Sequence, residues 1–155
     1  MVEIRNSVKA LITVDGKTLF TKNQAIDSGE IYYILPGGGQ NAGETFVEAL
    51  KRECREELGV EVEVGELVLI REYIGKNHEF AYKHNDLHQI EYMFLCDLKS
   101  QVDMKKATEL DFNQLGFEWL DYLEIQNKNV FPKALKTVLN KDGSIQKPIY
   151  LGDIN

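Results

Sequence analysis

Apolar and polar positions divide the chain into short strands, one amphipathic helix and a closing helix. The runs "VKALITV" (residues 8–14) and "KTLFTK" (17–22) flank Asp15-Gly16, a two-residue turn signal, and so predict a hairpin. "IYYIL" (31–35) predicts a short strand that stops at Pro36 and three glycines. "LVLIREYI" (67–74) and "HQIEYMFLCDL" (88–98) predict two more strands, rich in β-branched, aromatic and aliphatic residues, and "FEWL" (117–120) a further one. Asp121 with Glu124 has the spacing of a capping box before a short helical turn. Pro132 suits a first helical turn, so "FPKALKTVLN" (131–140) predicts a C-terminal helix. Strands first, one helix in the middle and one at the end predict a single mixed α/β (α+β) domain over residues 1–155.

The run Phe46–Leu58 predicts a helix with both ends marked. Thr45 and Glu48 form a capping box at its start, and Gly59 is placed for a left-handed cap at its end. At about 100° per residue, Val47, Leu50, Cys54 and Leu58 fall on one stripe that faces the core. Glu53, Glu56 and Glu57 share a face bordering that stripe. Each like-charge pair at helical spacing costs roughly 0.2–0.5 kcal/mol. A Glu-rich helix ordinarily presents a solvated acidic face, because Glu is a good helix former. Acids that converge beside the core point instead to a cation, and carboxylate oxygens suit hard ions such as Mg²⁺ or Mn²⁺. Pro36-Gly37-Gly38-Gly39 is expected to turn sharply after its strand, with bare backbone open to a metal or a phosphate.

Composition narrows the partners. A net charge of −7 over 155 residues argues against a nucleic-acid duplex as ligand, which requires basic surface. No apolar run approaches the roughly 18 residues of a membrane span, and the first ten residues lack a signal-peptide layout. A cytoplasmic location without membrane attachment is therefore expected. The two cysteines, Cys54 and Cys96, match no metal spacing and read as reduced core residues.

The residues from Gly38 to Val60 resemble the Nudix (MutT-type) hydrolase box, G-x5-E-x7-R-E-U-x-E-E-x-G-U, where U is aliphatic. Gly38, Glu44, Arg52, Glu53, Glu56, Glu57 and Gly59 occupy its fixed positions, with Cys54 standing at an aliphatic one. "YILPGGG" before the box and "FEWLDYLEI" after it are similar to the family's flanking segments. The resemblance implies a Nudix-like α/β/α sandwich, with a mixed β-sheet between helices. It also implies hydrolysis of a small-molecule substrate, a nucleoside diphosphate linked to another moiety, with Mg²⁺ or Mn²⁺ as cofactor. By position, Glu53, Glu56 and Glu57 would be catalytic and bind metal, with the Gly38 carbonyl as a further ligand. Arg52 would orient the carboxylates, pairing along the helix with Glu48 and Glu56. Glu44 would brace the loop or meet metal through water. The general base varies within the family, so Glu79, Glu91, Glu109 and Glu118 outside the box are also candidates.

Substrate contacts are expected from Tyr33, Gly37, Gly38, Glu44 and His88, with Tyr32, Phe80 and Tyr82 as other stacking candidates. Arg5, Arg71, Lys76 and Lys83 are the cations that could meet phosphate. His84 and His88 have a zinc-like helical spacing, but their segment does not read as a helix. ADP-ribose pyrophosphatases usually carry a proline about sixteen residues after the box, and none occurs between Pro36 and Pro132. The intact box argues against a non-catalytic nucleotide-binding sensor or interaction domain, and against an isoprenoid diphosphate isomerase of the same fold. A homodimer is left open.

Overall fold

The computed structural model describes residues 3–146 and 149–155. Strand β1 (Ile4–Leu11) runs past Ile12 into β2 (Thr13–Val14), and the chain turns back at once into β3 (Lys17–Gln24). The turn is Asp15-Gly16, with φ of 50° and 74°. Two successive positive φ angles define the tight turn whose twist matches a right-handed strand pair. The predicted hairpin is thus present, but its first arm is shared between two sheets.

One sheet has the order β10-β6-β7-β1-β5, built from β5 (Gly37–Gly39), β6 (Val62–Ile74), β7 (His88–Leu98) and β10 (Tyr150–Asp153). The second has the order β2-β3-β4-β9, from β4 (Ile31–Ile34) and β9 (Val130–Phe131), with β8 (Gln114–Leu120) on the other side of β3. Helix α1 (Phe46–Leu58) covers one apolar cluster that includes Val8, Ala10, Leu19, Leu50 and Cys54. On the opposite side, α3 (Tyr122–Asn127) and α4 (Leu135–Val138) contribute Ile125, Leu135 and Val138 to a second cluster with Leu11, Phe20 and Met93. The layers are therefore helix, sheets, helices, as expected from the α/β/α resemblance. Among the described residues, no helix is long and apolar enough to cross a membrane.

Three local expectations are corrected. The glycines after Pro36 do not simply turn. They extend as β5, antiparallel to β1, with Gly37 opposite Lys9 and Gly39 opposite Ser7. A side chain on Gly37 would strike the Val8 carbonyl, so the bare backbone serves strand pairing. On α1, Val47 is 40% exposed while Ala49 is buried, which rotates the buried stripe toward Glu57. The C-terminal run is mostly not helix. Val130 and Phe131 pair with β4, Pro132 follows a cis bond, and only Leu135–Val138 winds into a turn of helix over the second core.

Helix α1 matches its predicted bounds because both ends are chemically fixed. Thr45 and Glu48 exchange the two bonds of a capping box, and Gly59 adopts φ 60° and ψ 34°. A Cβ at Gly59 would lie 2.1 Å from the Asp103 carbonyl oxygen. Gly59→Ala is expected to lose about 1–3 kcal/mol of stability from the left-handed backbone and that clash. Urea unfolding would show it as a lower midpoint at unchanged slope. An unchanged midpoint would mean that the 103–107 segment retreats freely.

Candidate active site

Pairing of β5 with β1 brings the glycines against α1, and the contact is close. A Cβ on Gly38 would fall 2.5 Å from Glu53 Oε1. In this arrangement the Glu53 carboxylate occupies the space that a side chain at residue 38 would take. The Gly37 amide donates to Glu57 Oε2 at 3.2 Å, and the Gly38 carbonyl accepts from Ser7 Oγ at 3.1 Å.

Arg52 joins this strand to the helix and to the loop between them. Its Nε and Nη2 grip the two Glu44 oxygens at 2.8 and 2.9 Å. Its Nη1 meets Glu53 Oε1 at 2.9 Å and Glu56 Oε2 at 3.2 Å, and Nη2 also donates to the Gly39 carbonyl. A planar fork with five donors can satisfy three carboxylates at once, which the point charge of Lys cannot. Glu44 also accepts from the Asn41 amide, so it braces the loop. The Arg52 bond, then the Asn41 bond, hold its carboxyl down at about 2. Pairing of Arg52 with Glu48 does not occur, because the Glu48 carboxylate is occupied at the helix cap.

The three helix acids are not equivalent. Glu56 is the most exposed of them and rests on Arg52. Burial pushes the Glu53 carboxyl up, against the opposing pull of Arg52. Glu57 is 2% exposed, and burial raises its carboxyl to about 8 despite the nearby Lys9 cation. Desolvation of a carboxylate with one backbone donor leaves the neutral form preferred near neutrality.

These oxygens, with the Gly38 carbonyl, form a hard donor set of the kind divalent cations take. A buried carboxylate short of partners and a cradle kept open by glycine both fit such an ion. In the conformation seen, Glu53 and Glu56 point to Arg52. Among the described residues, no three His, Cys, Asp or Glu side chains are yet gathered as a metal set. Arg52 takes one oxygen of each of those carboxylates, which leaves Glu53 Oε2 and Glu56 Oε1 free of it.

The other expected residues divide. Tyr33 is buried in the second core with Lys128 over its ring, so it packs the fold and offers no open stacking face. His88 lies at the Ile4 end of β1, away from the register of Ser7–Lys9, and its Nε2 is buried without a hydrogen-bond partner. His84 sits in a single helical turn, α2 (Ala81–His84), and binds the Tyr73 hydroxyl. Of the outside acids, Glu79 pairs with Lys133, Glu91 with buried Arg71, and Glu118 with both Lys22 and Lys128. Glu109 is anchored by its backbone, its amide donating to the Glu56 carbonyl.

Two residues near the acids have no expected counterpart. Asp111 lies on the loop after Glu109 and adds negative potential at Glu53 and Glu57. Nothing in its local sequence marks it. Lys9 is a half-buried cation opposite Gly37, and a lysine inside the apolar run "VKALITV" was a readable signal. Lys9 also lines a cleft of about 50 Å³ between the sheets, with Ile34, Met93, Arg71, Glu91 and Phe131. A wider groove of about 580 Å³ borders Glu44 and Arg5. The Arg5 guanidinium covers Gly39 and, among the described residues, has no acidic partner.

Residues 3–140 match the family model described as NUDIX domain, and the chain belongs to that family. It is 37% identical over 91 residues to a CTP pyrophosphohydrolase of Escherichia coli strain K12, an alignment that covers 57% of this chain and 65% of that protein. The chain therefore spans just under two thirds of that relative. The solution structure of the E. coli ORF135 protein superimposes with a TM-score of 0.66 at 22% identity, covering 86% of this chain and 85% of that one. A NUDIX hydrolase from Nitrosomonas europaea gives 0.67 at 22% identity, over 81% and 78%. At those identities the structural likeness bears on the fold.

Glu57 gives a pH prediction for the metal-free protein. Its folded value lies above the ordinary carboxylate value of 4.5, so its contribution to stability is fully present below about 4.5 and is lost as pH rises through about 8. Glu57→Gln removes that loss. The melting-temperature gain of Glu57→Gln over wild type should be small at pH 4.5 and should grow up to pH 8.5. A gain that is constant across this range would show that Glu57 titrates normally.

Proposed function

We propose that this member of the NUDIX family is a pyrophosphohydrolase. It cleaves a pyrophosphate bond in a nucleoside diphosphate linked to another moiety, by attack of water on phosphorus. The observation that supports this most directly is the Arg52-centred cluster, in which one guanidinium binds the box residues Glu44, Glu53 and Glu56 and the Gly39 carbonyl. The name of the curated relative makes CTP the first compound to test.

In this reading Glu53, Glu56 and Glu57 hold Mg²⁺ or Mn²⁺, with the Gly38 carbonyl as a further ligand. When bound, such an ion neutralises pyrophosphate charge and makes water a better nucleophile. Arg52 keeps Glu53 and Glu56 within reach before substrate arrives, and Glu44 fixes Arg52. A carboxylate accepts the proton of the attacking water. Ion pairing occupies Glu79, Glu91 and Glu118, which leaves the box acids and the adjoining Glu109–Asp111 loop for that step. Arg5 over Gly39 and Lys9 opposite Gly37 are the cations placed to meet phosphate. They supply local attraction that a net charge of −7 does not. The cleft beside Ile34, Met93 and Phe131, at about 50 Å³, is smaller than a nucleobase, so in this reading it widens when a base enters between those apolar residues. The substrate is a diffusible cytoplasmic nucleotide, not a duplex.

A panel of CTP, ATP, GTP, UTP, ADP-ribose and UDP-glucose, assayed by product release, tests the proposal. Hydrolysis of one or more is expected with Mg²⁺ or Mn²⁺ and should stop in excess EDTA. Arg52→Ala should lower kcat about 10–100-fold, the range for a residue that orients ligands, while the protein remains folded. Full activity in EDTA, or an Arg52→Ala protein as active as wild type, would contradict the assignment.

A further inference from the structure

Three segments meet beside the cleft, one of which lines it and one of which lies beyond the residues that match the family model. Phe131 and Pro132 form one wall. The loop from Gly75 to Leu87 packs on that wall: Phe80 meets the Phe131 ring edge-on at 5.4 Å, and Glu79 pairs with Lys133. The third segment is β10 and the residues after it, laid parallel along β6 at the sheet edge.

This last segment is bonded to both the loop and the cleft floor. The Asp153 carboxylate accepts from the Ile74 amide at 2.9 Å, from Asn77 Nδ2 at 2.8 Å, and is bonded to His78 Nε2 at 2.6 Å. His78 in turn stacks on Tyr73, with ring centres 5.1 Å apart and planes within 12°. The next two residues of the chain are Glu79 and Phe80, the ones that hold the Phe131 wall. Beyond Asp153, the Ile154 carbonyl and Asn155 Oδ1 accept from Arg71 Nη1 at 2.8 and 3.3 Å. Arg71 pairs with Glu91, and both line the cleft. Burial opposes ionisation of Asp153, but the bonds from Asn77, His78 and Ile74 outweigh it and hold the carboxyl down at about 2.

We propose that Asp153 is a positioning residue that fixes the nucleotide-binding end of the cleft, so that residues 150–155 set substrate affinity. The proposal rests on the hydrolase reading only for what occupies the cleft. Asp153 touches neither the box acids nor Arg52. Its effect passes through His78 and the Gly75–Leu87 loop to Phe131, and runs beside Arg71 to the floor. It therefore acts on binding more than on the chemical step.

Two measurements test it. In the protein without nucleotide, Asp153→Ala should speed amide exchange between Ile74 and Leu87 by about tenfold or more, with α1 unchanged. On the member of the nucleotide panel with the highest wild-type kcat/KM, Asp153→Ala should raise KM about tenfold while kcat changes about twofold or less. Asp153→Asn keeps an acceptor and should fall between, which also covers an Ala variant that folds poorly. Tyr150→Phe removes an exposed bond from the same strand to Glu72 and should leave KM at the wild-type value. Unchanged exchange in the loop would overturn the positioning role. So would an unchanged KM, or an equal rise in Tyr150→Phe, which would assign the effect to strand docking in general. A wild type that cleaves no panel member overturns the hydrolase reading, and the exchange experiment then decides the role of Asp153 alone.

Discussion

One guanidinium makes the acidic helix compatible with the glycine strand. Arg52 sits among Glu44, Glu53 and Glu56 and also binds the Gly39 carbonyl. Without it, three carboxylates would face one another at the surface of the core with no counter-charge in contact. The bonds also cross elements: loop, helix and strand meet at a single side chain. That is why the missing side chain of Gly38 matters. With no side chain at Gly38, the end of Glu53 lies against the strand while Arg52 reaches the Gly39 carbonyl.

Glu57 adds an opposite tension. Rotation of the buried stripe toward it places a carboxylate where the helix would otherwise present an apolar residue. One amide and the field of Lys9 do not replace water, so the carboxyl is held up near 8. As pH rises above about 4.5, such a group costs stability. Its presence makes sense if an ion of opposite charge completes it, beside the oxygens of Glu53 and Glu56 that Arg52 does not take.

Local chemistry was legible in the sequence and non-local pairing was not. Asp15-Gly16, the Thr45–Glu48 cap and Gly59 each specify their structure within a few residues, and all three are found where expected. The box likewise announced the Arg52 cluster, since spacing on one helix sets which side chains can meet. The glycines became a strand because β1 lies beside them, which no property of the glycines themselves declares. Tyr33 looked like a stacking residue and is a core residue, because its neighbours come from β9, nearly a hundred residues away. Val47 left the buried stripe and Ala49 joined it through a rotation smaller than the width of the stripe. The Asp153 bonds and Asp111 depend on loops whose path is set by contacts across the whole fold.

The central proposal is that the acid cluster, with buried Glu57 at its base, takes a divalent cation. Calorimetric titration of the metal-free protein with MgCl₂ or MnCl₂ at pH 7, in two buffers of different ionisation enthalpy, tests it directly. The account predicts saturable binding with proton release, because Glu57 must ionise to serve as ligand. Binding heats that are identical in the two buffers, or no binding at millimolar metal, would contradict it.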